Sequence, residues 1–281
     1  MTITAQMVMD LRKRTGVGMS KCKEALTEAN GDIEEAVHIL RKKGVASAVK
    51  KGGRNTDQGV IGIAETAGAV FLIEINTETD FVAQNDRFKE FLKNICDEVA
   101  RTSPTVVDDF LHQRYGKDHT LTIDEYRADI VQMLGENIRI KRTKRFEKVG
   151  GHSMGVYSHM GGKIVCVVEI KGADDQKALA RDIAMHVAAE APDYLKPEDV
   201  PGDILAKEEE IARSQIRNKP PEIMDKIVKG KLSGYYEQSC LVNQKFVKNP
   251  SMTVADHLSE EGKKVGKTLE IVGFARWQLG E

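Results

Sequence analysis

The sequence predicts an α+β fold, and three observations carry that prediction. Apolar residues recur at helical spacing through the first 45 positions and at period two from Gly59 onward. A strand–strand–helix order then occurs twice. Near residue 218, two charged amphipathic segments meet at Asn218-Lys219-Pro220-Pro221, where the prolines forbid one continuous helix and favour a hairpin. The expected architecture is a three-helix module, then a core of two related α/β subdomains with antiparallel sheets. The boundaries fall at 1–54, 55–148 and 149–281, with the inserted helical hairpin at about 200–237.

Met7, Val8 and Leu11 form the apolar stripe of the first helix, which Gly16 and Gly18 end. Ser20 suits the N-cap of the second, where Ala25, Leu26 and Ala29 recur. Asn30-Gly31 breaks the chain. Asp32 and Glu35 then give a capping-box pattern ahead of Ile33, Ala36, Val37 and Leu40, and Gly44 is the expected stop. Residues 50–58 hold Gly52-Gly53 and no apolar side chain, the pattern of a linker.

Residues 59–66 and 69–76 read as strands around Ala67-Gly68, followed by a helix through Phe88, Phe91, Leu92, Ile95 and Val99. A helix at 123–134 and a strand at 138–146 complete the first copy. The second repeats the order: strands at 154–159 and 164–170 around Gly161-Gly162, then a helix through Leu179, Ile183 and Val187. Val70-Phe71-Leu72-Ile73-Glu74-Ile75 and Val165-Cys166-Val167-Val168-Glu169-Ile170 are alike enough to suggest an internal duplication. Helices at 203–217 and 222–236 form the hairpin, and 269–277 is the closing strand.

With 281 residues, 41% hydrophobic composition and a formal charge of −1, the chain is too apolar and too near neutrality for wholesale disorder. It has neither a membrane-length apolar run nor a signal-peptide pattern, so a soluble cytoplasmic protein is expected. Cys22, Cys96, Cys166 and Cys240 lie too far apart in sequence for metal-ligand spacing and read as buried thiols. Charge is uneven. Residues 1–54 hold 11 Lys and Arg against 6 Asp and Glu, while the remainder is acidic. A basic head suits an acidic or nucleic-acid partner, or simply presents the solvated faces of short helices.

The patterns of covalent chemistry are absent. There is no His-Glu-x-x-His and no Gly-x-Ser-x-Gly, so neither a metal nor a cofactor is expected. Cys166 and His186 would make a nucleophile pair only if exposed, and both fall in apolar periodic stretches. The run from Gly262 to Thr268 resembles a phosphate loop. It is one residue short, however, and stands between a helix and a strand in the wrong order. More informative is a difference between the copies. The first leaves its second strand through Asn76-Thr77-Glu78-Thr79-Asp80-Phe81-Val82-Ala83, an added connection that the second copy lacks. Thr79 or Asp80 could be an N-cap there. Phe81 could fold back as a hydrophobic staple, or protrude as an apolar wedge beside a carboxylate.

These segments resemble known signatures. Residues 11–26, with Arg14-Thr15-Gly16-Val17-Gly18-Met19 at their centre, and residues 74–83, ending in Thr79-Asp80-Phe81-Val82-Ala83, are similar to the two signatures of the bacterial elongation factor Ts family. Leu134-Gly135-Glu136-Asn137-Ile138, the run at 182–189 and Gly273-Phe274-Ala275-Arg276-Trp277 fit in order, so the resemblance spans the chain. Ser20-Lys21 departs from the family's usual residues, and Gln84 stands where a basic or polar residue is common.

The resemblance implies a guanine-nucleotide exchange factor for the GTPase elongation factor Tu, without covalent chemistry of its own, and a UBA-like N-terminal module. Phe81 would be the wedge, with Asp80 beside the partner's Mg²⁺ site and Thr79, Val82 and Ala83 around them. Arg12, Met19 and Lys23 would be contacts of the N-terminal module. Leu134, Gly135, Glu136 and His159 would face the same partner. It also implies no stable nucleic-acid binding and no membrane, and it allows a 2:2 assembly with the partner. Two other classes stand beside it: an RNA- or ribosome-binding protein using the basic head, and a hydrolase built on Cys or His.

Overall fold

A computed structural model describes residues 2–215 and 220–281. Its backbone is α+β and packs as two compact units, 1–147 with 278–281, and 148–277.

The first unit begins with α1 (Ala5–Thr15), α2 (Met19–Glu28) and α3 (Ile33–Lys51). The Thr4 hydroxyl caps α1 by accepting the Met7 N–H, and Gly16 ends it at φ 70°. Val8, Leu11, Cys22, Ala25, Leu26, Ala36 and Leu40 fill a small core between the three helices. Ser20 is not a cap. Helix α2 starts two residues earlier, capped by Gly18, and the Ser20 hydroxyl donates to Glu24. Asp32 caps α3 by accepting the N–H groups of Glu34 and Glu35, but its own N–H goes to Ala29, so the box is one-sided.

Gly44 does not stop α3. It lies buried in the middle of the helix, where α3 crosses α7 (Ile123–Leu134). A Cβ there would stand 2.9 Å from Gln132 Oε1. A glycine that reads as a terminator is therefore a close-approach point between helices. The expected linker shrinks accordingly, since Lys50 and Lys51 are helical and Gln58 opens the first strand.

The sheet that follows is antiparallel, in the order β1 (Gln58–Glu65), β2 (Ala69–Thr77), β5 (Ile138–Glu147). Between β2 and β5 come α4 (Asp80–Gln84), α5 (Asp86–Thr102), α6 (Val107–His112), the hairpin β3 (Arg114–Tyr115) and β4 (Asp118–Thr122), and then α7. Phe88, Phe91, Ile95 and Val99 of α5 pack on Phe71, Ile73 and Ile75 of β2, the meeting that the two periodicities dictate.

In the second unit, β6 (His152–His159) and β7 (Ile164–Lys171) precede α8 (Lys177–Glu190). Helices α9 (Gly202–Ser214) and α10 (Pro221–Ser239) pack together as the inserted hairpin, with Arg213 paired to Asp225 at 3.0 Å. Asn218 and Lys219, read as part of its tip, lie outside the described residues. The hairpin β8 (Lys245–Phe246) and β9 (Asn249–Thr253), α11 (Val254–Val265) and β10 (Glu270–Gln278) follow, and β10 pairs with β7.

The duplication extends well beyond the strand similarity that suggests it. Both sheets place the closing strand beside the second strand of the opening hairpin. Both small hairpins carry the same register break, and Thr122 and Thr253 each form a full capping box at the following helix. Tyr115 stacks on Tyr126 in one copy and Phe246 on His257 in the other. The N–H of Gly116 donates to Glu98 of α5, and that of Val247 donates to His186 of α8, both at 3.2 Å.

Candidate functional site

The connection from β2 to α5 is built from tandem caps. The Thr77 hydroxyl donates to the Thr79 carbonyl at 2.7 Å. Thr79 is extended (φ −126°, ψ 157°), and its hydroxyl accepts the Val82 N–H at 3.4 Å, opening the single turn α4. Asn85 ends that turn and caps the next helix by accepting the Arg87 N–H at 2.9 Å. Positions two apart on a helix point about 200° away from each other. Ala83 is turned into the core, and Phe81, on the opposite side, is 85% exposed with Asp80 exposed beside it. Val82 is half-buried against the core. The staple alternative is thus excluded, and Phe81 protrudes.

The base of this turn is held from the C-terminus of α7. Glu136 accepts the Thr79 N–H at 3.0 Å through one carboxylate oxygen and the Thr79 hydroxyl at 2.6 Å through the other. Next to it, Glu78 accepts the Asn137 N–H at 2.6 Å and pairs with Arg54 at 3.3 Å. The Asn137 amide donates to the carbonyls of Gly52 and Arg54, just past α3. Burial lowers the Lys51 ammonium below its ordinary range, and Lys21 and Arg54 push in the same direction, while Glu78 and Glu136 oppose them.

Of the residues expected to face a partner, Leu134 is half-buried on the core, and Gly135 is the exposed left-handed cap of α7 at φ 83°. Both carboxylate oxygens of Glu136 are turned inward onto Thr79. Arg12 and Met19 come together with Met9, Lys13 and Gly16 in an open concavity of about 590 Å³. Its remaining wall is Arg87, in the first turn of α5 immediately after the Phe81 turn. Arg87 escapes sequence reasoning, because only its nearness to the basic head gives it meaning. Lys23 is exposed on α2 and is not part of that lining. His159 belongs to the second unit, at the end of β6, where its ring lies against Tyr157 and its Nδ1 is 3.2 Å from the Tyr157 hydroxyl.

The rejected chemistries have structural counterparts. The phosphate-loop-like run is the last turn of α11 and its Gly266 cap, which presents carbonyls rather than the N–H groups an anion needs. Burial pushes the Cys166 thiol up to about 12, far from a nucleophilic thiolate at neutral pH. His186 is buried. Its Nδ1 accepts the Val247 N–H while Nε2 faces the Gln244 carbonyl oxygen at 3.0 Å, so both nitrogens are engaged. Among the described residues, no group of three His, Cys, Asp or Glu could hold a metal ion, and no helix is long and apolar enough to cross a membrane.

Comparison with known proteins supplies the class. Residues 78–281 match the family model described as Elongation factor TS, beginning at Glu78, one residue before the cap of the braced turn. The chain is 53% identical over 279 residues to Elongation factor Ts of Protochlamydia amoebophila, covering 99% of both. It is 45% and 44% identical over 270 residues to those of Chlamydia felis and Chlamydia caviae, covering 96% of each chain. It is therefore a translation elongation factor, a component of protein biosynthesis. Within that class, the chain belongs to the elongation factor Ts family.

Proposed function

We propose that the chain is the guanine-nucleotide exchange factor for elongation factor Tu. It binds the GDP-loaded GTPase, inserts Phe81 with Asp80 beside it, disturbs the Mg²⁺ and nucleotide site, and lets GDP leave so that GTP can load. Thr79, Val82 and Ala83 shape the inserted turn. Residues 1–54 act as the docking module through Arg12, Met19 and Lys23. Residues 55–148 carry the wedge, and 149–281 add the hairpin and His159, with Leu134, Gly135 and Glu136 on the partner-facing side of the core. The work is done in the cytoplasm, without covalent chemistry, and the reading extends to a 2:2 assembly whose mass light scattering would report.

One observation carries the reading: a Phe side chain 85% exposed on a turn whose base is fixed at the N–H and the hydroxyl of Thr79. A lone aromatic held in water is of no use to the free chain. Burying it in a partner is worth about 1.5–3 kcal/mol, a scale suited to shifting a packed helix. By linkage, the factor by which the chain weakens nucleotide binding is the factor by which nucleotide weakens binding of the chain.

The test is stopped-flow release of fluorescent GDP from elongation factor Tu. Wild-type chain should accelerate release, and Phe81→Ala should lose about ten-fold or more of that acceleration with an unchanged melting temperature. Equal rates for both proteins would remove the wedge.

A further inference from the structure

Sequence similarity places Glu136 among residues facing a partner, yet its geometry describes a different task. We propose that Glu136 is a positioning residue for exchange: it sets the posture of Phe81 by holding Thr79. This rests on the wedge reading above and goes beyond it, because Glu136 acts through Thr79 and not on the partner.

The two oxygens of Glu136 are spent on the one residue that starts the wedge turn. The hydroxyl contact, at 2.6 Å, has the length of a hydrogen bond to an ionised carboxylate. That same hydroxyl accepts the Val82 N–H, so Glu136 polarises the cap of α4 as well as fixing its first residue. A helix of one turn has no stability of its own. Without an outside hold, the five residues of α4 would sample many conformations, and Phe81 would have to be ordered during docking.

The hold comes from a rigid place. Glu136 follows directly on the Gly135 cap of α7, and its neighbour Asn137 is tied to Glu78 and to the carbonyls of Gly52 and Arg54. Three stretches of chain distant in sequence are thus fastened around the base of the turn, while its tip projects. A residue of this kind should change how fast the bound complex releases nucleotide more than how tightly the complex forms.

The experiment measures GDP release from elongation factor Tu against concentration of the full chain, for wild type, Glu136→Gln, Glu136→Asp and Thr79→Val. Amide hydrogen exchange of residues 79–83 is measured in the free proteins. Glutamine keeps the shape but replaces one acceptor by a donor. Aspartate keeps the charge but shortens the reach and guards against a folding defect in one variant.

The expected result is a maximal release rate lowered ten-fold or more, a half-saturating concentration changed less than three-fold, and faster exchange at 79–83. Glu136→Gln combined with Thr79→Val should be little worse than either alone, because both break one clamp. A raised half-saturating concentration with normal protection of 79–83 would make Glu136 a partner contact and overturn the proposal. So would a wild-type maximal rate in both Glu136 variants. Phe81→Ala run alongside separates two failures. If it leaves release at the wild-type rate, the wedge falls and the positioning role with it. If it slows release while the Glu136 variants do not, only the positioning role falls.

Discussion

Gly44 of α3 faces Gln132 of α7 so closely that a Cβ on the glycine would lie 2.9 Å from the glutamine Oε1, with Asp129 Oδ1 at 3.4 Å. The two helices meet backbone to side chain at this point, and the basic head rests on the core through it.

Substitutions at Gly44 should therefore separate by size. Gly44→Ala gains about 1 kcal/mol of helix propensity and displaces only the end of the Gln132 side chain, so its stability should stay within about 1 kcal/mol of wild type. Gly44→Leu cannot be absorbed that way and should cost about 1–3 kcal/mol. Thermal unfolding measures the stabilities, and hydrogen exchange along α3 and α7 should report loosening only in the leucine variant.

The buried His186 and the half-buried Asp129 give opposite responses to pH. Burial lowers the pKa of His186 below its ordinary 6.5, despite opposing help from Gln244 and Glu190. Its unfolded form binds the proton first, so stability is full above about pH 6.5 and is lost as pH falls below that. Asp129 is pushed up to about 6 by burial, with Arg41 opposing and Glu125 and Asp118 adding to the rise. Its folded form holds the proton longer, so its contribution is full below about pH 3.9 and is lost as pH rises through 6. As pH falls from 7.5 to 5.5, amide protection factors, which are corrected for the intrinsic pH dependence of exchange, should fall around α8 and the β8–β9 hairpin and rise where α3 meets α7. His186→Gln should abolish the first change and Asp129→Asn the second.

Glu74 is a fully buried carboxylate that the sequence does not single out. It accepts from Arg142 at 2.7 Å and from the Asn76 amide and the Gly280 N–H at 3.1 Å, tying the chain end to the first sheet. Burial alone would raise its pKa, but the Gly280 N–H, Asn76 and Arg142 together hold it below the usual carboxylate range. Glu74→Ala removes the anion that these donors share and should cost about 3–5 kcal/mol in urea unfolding. In wild type, this contribution is present above about pH 4.3 and is lost as pH falls below it.

The concavity shared by Arg12, Met19 and Arg87 makes a prediction about affinity rather than rate. Arg87→Ala should raise the concentration of chain needed for half-maximal GDP release by about as much as Arg12→Ala, roughly three- to ten-fold each. The maximal rate should stay near wild type. The effect should shrink at high salt, because exposed charges are screened over about 10 Å.

Most of the element order, the antiparallel strand pair that opens each copy and the duplicated plan were legible in the sequence, because hydrophobic period and cap residues are local properties; α6 was not. The helix at 123–134 coincides with α7, and Val70–Ile75 with its second-copy counterpart already pointed to the repeat. The two-residue strands β3 and β8 were not legible, since such short strands have no period to read. The site divides along the same line. That Phe81 stands among polar neighbours is a fact of sequence, but whether it folds back or protrudes was settled by which face of α4 the core accepts. Glu136 and Gly44 are the clearest cases of what only the tertiary structure decided. A carboxylate after a helix cap and a glycine between lysines and valine carry ordinary local meanings, surface charge and helix stop. Their roles come from Thr79 and Gln132, residues brought to them by the closing of the sheet and the crossing of two helices. Local chemistry determines which way a side chain faces, and only the packing of distant segments determines what it meets.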